Sequence, residues 1–130
     1  MPLEPETSYA PAVDAGVRLV HIPTGTAVAT VRVVDGWWAK GMGVIGMGEL
    51  AAGSGIVMPG IASIHTCFVK FPLDVLFLDR SQMLMLAVRS VPPWTPLVAC
   101  RGAWYTVELG AGTLGDDRYC VAGDRWRMEK

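Results

Sequence analysis

The sequence predicts a mainly β domain, a compact β-sandwich or partly closed barrel of short, mostly antiparallel strands with one short helix near residues 36–46. Three observations lead there. Short runs rich in Val, Ile, Leu and aromatic residues recur between Gly/Pro turn signals at spacings of roughly eight to twelve residues, as in sandwiches and small barrels. Apolar residues make up 52% of the chain and charged residues 18%, enough to furnish a core and too apolar for a disordered polymer. Gly41, Gly43, Gly46 and Gly48 crowd the one stretch with helical character, and each weakens a helix by up to ~1 kcal/mol relative to alanine, which limits it to two or three turns.

Taken in order, residues 1–15 hold Pro2, Pro5 and Pro11 among scattered acids without periodicity, the pattern of a flexible arm, and 16–130 form a single domain without repeats or linkers. Val17 to Ile22 is a β-prone run. Pro23-Thr24-Gly25-Thr26 turns the chain into Ala27 to Val34, an antiparallel partner. Asp35-Gly36 can end that strand and cap the helix, because an Asp carboxylate accepts orphan amides at a helix start. The glycines that follow lack the Gly-Lys-Ser/Thr of a phosphate loop.

Ile56 to Met58, Ile64 to Val69 and Leu73 to Leu78 read as three further strands, and the last, apolar on both faces, belongs in the middle of a sheet. Asp79 to Gln82 connects it tightly to Met83–Val91 as a hairpin. Pro92-Pro93-Trp94-Thr95-Pro96 is a stiff loop, since proline fixes its own φ and donates no hydrogen bond. Alternation over Ala103 to Leu109 places Trp104, Thr106 and Glu108 on one face of a strand and Tyr105, Val107 and Leu109 on the other. Gly110-Ala111-Gly112-Thr113 turns the chain, and a Gly123-Asp124 turn precedes Arg125 to Met128.

Composition also narrows the function classes. A net charge of −1 with no basic cluster gives no field to attract nucleic acid or an anionic membrane. Cys67, Cys100 and Cys120 are widely spaced and odd in number, unlike a zinc framework or a disulfide scaffold, so no metal and no cofactor is expected. The first residues are acidic where a signal peptide is basic, and no apolar run spans a bilayer, so the expected location is cytoplasmic, as a monomer or weak homo-oligomer.

Polar side chains interrupt the apolar run from Ser63 to Asp79, and a buried polar atom needs a partner. His65, Thr66 and Asp74 are therefore either a structural lock or a site. The segment order from 27 to 128 resembles the prokaryotic family known as domain of unknown function 192 (DUF192). The resemblance rests on Lys40-Gly41-Met42, Gly55-Ile56-Val57-Met58-Pro59, Ile64-His65-Thr66, Pro72-Leu73-Asp74-Val75-Leu76-Phe77-Leu78-Asp79, Pro93-Trp94, Val107-Glu108-Leu109-Gly110-Ala111-Gly112 and Gly123-Asp124. It implies a compact, mainly β domain and brings no substrate, cofactor or catalytic residue. The arginine usual in the family ahead of the Gly-Leu element has no counterpart here, where Trp37 and Trp38 stand.

Two residues apart on a strand, His65 and Cys67 would share a face, yet no residue is placed by sequence to orient the ring as cysteine-nucleophile chemistry needs, and zinc spacing with His21 or Asp74 is absent. Asp74 could accept from His65 or from backbone amides, with Glu108 joining from a neighbouring strand. Such a group could fix strand register, or it could be a His-carboxylate pair for acid-base or hydrolytic chemistry. Trp94, held between prolines, together with Gly110, Gly112 and Asp124, marks a candidate binding surface. The expectation is a non-enzymatic binding module for a peptide, protein or small ligand, with the His65 enzyme and a structural assembly partner as alternatives.

Overall fold

Leu73–Leu78 is buried at every position, and the sheet is assembled outward from it. The computed structural model describes residues 16–130. The arm expected at 1–15 lies outside the described residues. In chain order the strands are β1 (Val17–His21), β2 (Thr26–Val33), β3 (Ser54–Pro59), β4 (Ser63–Ile64), β5 (Leu73–Leu78), β6 (Leu84–Val91), β7 (Val98–Ala99), β8 (Tyr105–Gly110) and β9 (Trp126–Glu129), with helix α1 (Trp37–Met42) between β2 and β3. A 3-10 turn occupies Asp117–Tyr119.

Seven strands form one curled sheet in the order β6-β5-β8-β3-β2-β1-β9, and β4 pairs with β7 in a second, two-stranded sheet. All pairings are antiparallel except β2 with β3, which run parallel in the register Thr30↔Ser54 to Val33↔Val57. Parallel neighbours need a crossover. Here α1 and the glycine-rich segment after it supply one, and they lie where the site is found. The sheet begins to close where β6 meets β9: the Leu84 amide donates to the Asp124 carbonyl (2.8 Å), the Trp126 amide to Gln82 (2.9 Å), and Met83 bridges Arg125. The result is a partly closed barrel.

The curl gives the sheet two apolar faces. Side chains from all seven strands, among them Leu19, Val31, Val57, Leu76, Leu84, Val107 and Trp126, fill the concave side, and Leu114 enters the same core from the β8–β9 connection. Ile56, Met58, Leu73, Val75, Phe77 and Val91 form the core of the convex side, which is covered by Val44 from the crossover and Val69 from the β4–β5 connection. Each fully buried side chain of this kind contributes about 1.5–3 kcal/mol. Among the described residues no helix is long and apolar enough to cross a membrane.

One expected strand is replaced by a loop. Of the run 64–69 only Ile64 is in a strand, as the second residue of β4, because Thr66 turns the chain instead: Val69 donates to the Thr66 carbonyl (3.1 Å), and Phe68 adopts a positive φ of 69°. His65 and Cys67 therefore do not project from a common strand face.

Candidate functional site

The strand register separates the residues that the sequence had grouped. Asp74 pairs with Leu109 and so faces the concave core, whereas Glu108 pairs with Val75 and faces the convex one. They stand on opposite sides of the sheet.

Asp74 is 1% exposed and fully engaged. Its Oδ1 accepts the Ser90 amide (2.8 Å), and its Oδ2 accepts the amides of Gly112 (3.1 Å) and Leu114 (2.8 Å). These bonds tie the end of β6 and the 110–114 turn to β5. Gly110 and Gly112 belong to the same latch. A Cβ at Gly110 would lie 2.1 Å from the Ala51 carbonyl, a contact only glycine avoids. Asp124 serves the barrel closure, where its Oδ2 is 3.0 Å from Nε2 of buried His21, whose Nδ1 is 2.9 Å from the Thr24 hydroxyl.

Thr66 is likewise buried. Its hydroxyl donates to the Pro92 carbonyl (2.6 Å) and accepts the Thr95 amide (2.8 Å), clamping the proline-rich loop to the β4–β5 connection. This clamp presents Trp94, 60% exposed at φ 62°, with its ring centroid 4.7 Å from that of Phe68, itself 63% exposed. Nothing in the sequence marked Phe68, because a positive φ at a non-glycine residue leaves no compositional trace. Thr66→Val should cost about 2 kcal/mol through two lost bonds. Thr66→Ser should retain most of the stability; thermal midpoints and exchange of the Thr95 amide distinguish the pair.

Glu108 is the unusual group. It is 3% exposed, yet its Oε1 has no hydrogen-bond partner, one of two such side-chain atoms among the described residues together with Trp126 Nε1. Burial pushes its carboxyl up to about 7, and the Val44 amide opposes that shift without cancelling it. The carboxyl lies against the crossover at Gly43, where φ is 52° and a Cβ would sit 3.1 Å from Oε1. Glycine allows both the turn and the close approach.

Glu108 is one of the residues lining a cavity of about 510 Å³ between the crossover and the β4–β5 connection. Apolar walls come from Met42, Val44, Ile45, Ile61, Ile64 and Val69. Asp35, Lys40, Ser63 and His65 are its other polar and charged lining residues. Thr106, two residues before Glu108 on the same strand face, anchors the far wall through a 2.6 Å bond to the Ile61 carbonyl. Lys40 Nζ is 3.7 Å from Asp35 Oδ1 at the α1 side.

His65 lines this cavity and accepts the Cys67 amide at Nδ1 (3.1 Å). A ring accepting at Nδ1 carries its proton at Nε2 when neutral, so its remaining nitrogen is a donor rather than a base. Asp74, Trp94, Gly110, Gly112 and Asp124 are not among the lining residues. Among the described residues no group of three His, Cys, Asp or Glu side chains converges in a way that could hold a metal ion.

The sequence profile of the DUF192 family, described as "Uncharacterized ACR", matches residues 20–127. No curated protein matches. Two solved structures share the fold. One is a protein from Sinorhizobium meliloti 1021, described as a proposed transcription regulator, at 21% identity and TM-score 0.76, covering 90% of this chain and 95% of that one. The other is a protein of unknown function from Novosphingobium aromaticivorans DSM 12444, at 15% identity and TM-score 0.69, with 86% and 83% covered. At such identities the likeness extends to the fold alone.

Proposed function

From the premise that the chain belongs to the DUF192 family, we propose that the protein is a small-molecule binding module whose ligand enters the cavity over Glu108. The observation that carries this reading is the unpartnered Oε1 of a buried carboxyl on a cavity of about 510 Å³, within the size range of small-ligand pockets. A buried polar atom without a partner costs roughly 1–3 kcal/mol, and a ligand donor would remove that cost. The surrounding apolar walls favour a compact, partly apolar molecule over an extended peptide.

Acid-base chemistry is a second reading, favoured by a carboxyl that exchanges its proton near pH 7. His65 would then act as a hydrogen-bond donor to substrate, since Asp74 and both its oxygens are committed on the other face of the sheet.

A fragment library screened by amide chemical shifts tests the binding reading. Hits should move the amides of residues 40–45, 61–65 and 108. Ile64→Trp, which fills the cavity from its wall, should abolish those shifts while moving the melting temperature by only a few degrees. Hits confined to the Phe68–Trp94 face would overturn the proposal in favour of a docking surface.

A further inference from the structure

Resting on the cavity reading above, we propose a ligand class: a small molecule bearing a primary ammonium group on an apolar body, with the ammonium against Glu108. The argument begins from charge. A carboxylate withdrawn from water needs a counter-charge or several hydrogen-bond donors. The fold supplies neither to Oε1. The cation on the cavity's rim, Lys40, has its Nζ 3.7 Å from Asp35 Oδ1 and forms no ion pair with Glu108.

Ligand chemistry can then be sorted by what it would bring to that oxygen. A carboxylate or phosphate would set like charge against a buried acid and is disfavoured. A neutral alcohol supplies one donor and leaves the carboxylate without a counter-charge. An ammonium supplies three donors and a full positive charge, and charge-assisted bonds of this type are roughly twice as strong as neutral ones. The apolar remainder of the ligand meets Val44, Ile61, Ile64 and Val69. Gly43 contributes by omission: a Cβ there would stand 3.1 Å from Oε1, which is sealed from solvent in the unliganded fold, and without that Cβ the carboxyl can turn toward the cavity to meet the ammonium.

The experiment compares three probes of equal length on the full chain, n-pentylammonium, n-pentanol and n-pentanoate, followed by the amide shifts of Val44 and Ile64. Pentylammonium should bind with a dissociation constant on the order of 1 mM at pH 8, the scale expected for so few heavy atoms. Because it selects the ionised carboxyl, binding should be about tenfold weaker at pH 6 than at pH 8. Asp35, Lys40 and His65 share the cavity, so the same comparison is made in His65→Gln, where the pH dependence should persist. Glu108→Gln should weaken pentylammonium at least tenfold at pH 8 and leave pentanol unchanged. If pentanol or pentanoate shifts Val44 and Ile64 and pentylammonium binds no tighter at pH 8, the ammonium assignment is wrong and the cavity reading stands. If none of the three shifts those amides, both are wrong.

Discussion

Asp74→Ala is expected to lower the unfolding free energy by about 4 kcal/mol, a large share of the roughly 5–15 kcal/mol that holds a domain of this size. The loss has an identifiable source. Three backbone amides, of Ser90, Gly112 and Leu114, donate to this one carboxylate, and the Leu114 bond is buried. Each stranded amide costs about 1–3 kcal/mol, less where water can reach it. The Leu114 side chain, fully buried in the concave core, would lose its backbone anchor as well. Asp79→Ala is the internal control, since Asp79 also accepts two amides, of Ser81 and Met83, but in an exposed or half-buried turn. It should cost about 1 kcal/mol. In urea at pH 7 the Asp74 variant should shift the midpoint by roughly 2 M, the Asp79 variant by well under 1 M. Equal shifts would mean that the latch at the barrel's end contributes nothing beyond an ordinary turn.

Asp74 also shows how far the sequence could be followed. Its strand was legible, because a six-residue run that is apolar on both faces belongs between other strands, and β5 does lie between β6 and β8. The short helix was legible from the Asp35-Gly36 boundary, and the glycines after it from their power to stop it early. What could not be read was the side of the sheet on which each polar residue falls. Alternation fixes a residue's face relative to its own strand neighbours, but β5 and β8 are buried on both faces, so hydropathy is the same on each. Only the pairing Asp74↔Leu109 and Val75↔Glu108 separates the two acids.

The run from His65 to Val69 failed for a different reason. Its residues favour a strand, but the Thr66 backbone and hydroxyl are all engaged by the distant segment Pro92–Thr95, a tertiary contact with no local signature. Glu108 itself was visible as a polar residue on a motif strand. Its isolation was not, because that depends on Gly43 arriving from a parallel crossover the local pattern does not specify.

That isolation leads to the second large effect. The Glu108 carboxyl is raised from 4.5 to about 7 in the fold by desolvation, so between those values the native state holds a proton that the unfolded chain releases. Stability therefore falls as pH rises through this window and levels off above about 7. The span corresponds to about 3 kcal/mol. Glu108→Gln, which keeps the shape and cannot ionise, should match the native protein near pH 5 and exceed it by about 2 kcal/mol at pH 8. Urea midpoints of both proteins at pH 5, 6, 7 and 8 test this, and the difference between the two curves cancels every other titrating group. His65→Gln in both backgrounds should leave that difference in place. A difference curve that is flat with pH would show that Glu108 is solvated in the fold, and the cavity would then lose its reason to recruit a cation. If the curve slopes as expected, the protein carries at neutral pH a buried acid that weakens its own fold, and an ammonium ligand that fixes the ionised form would return that stability when it binds.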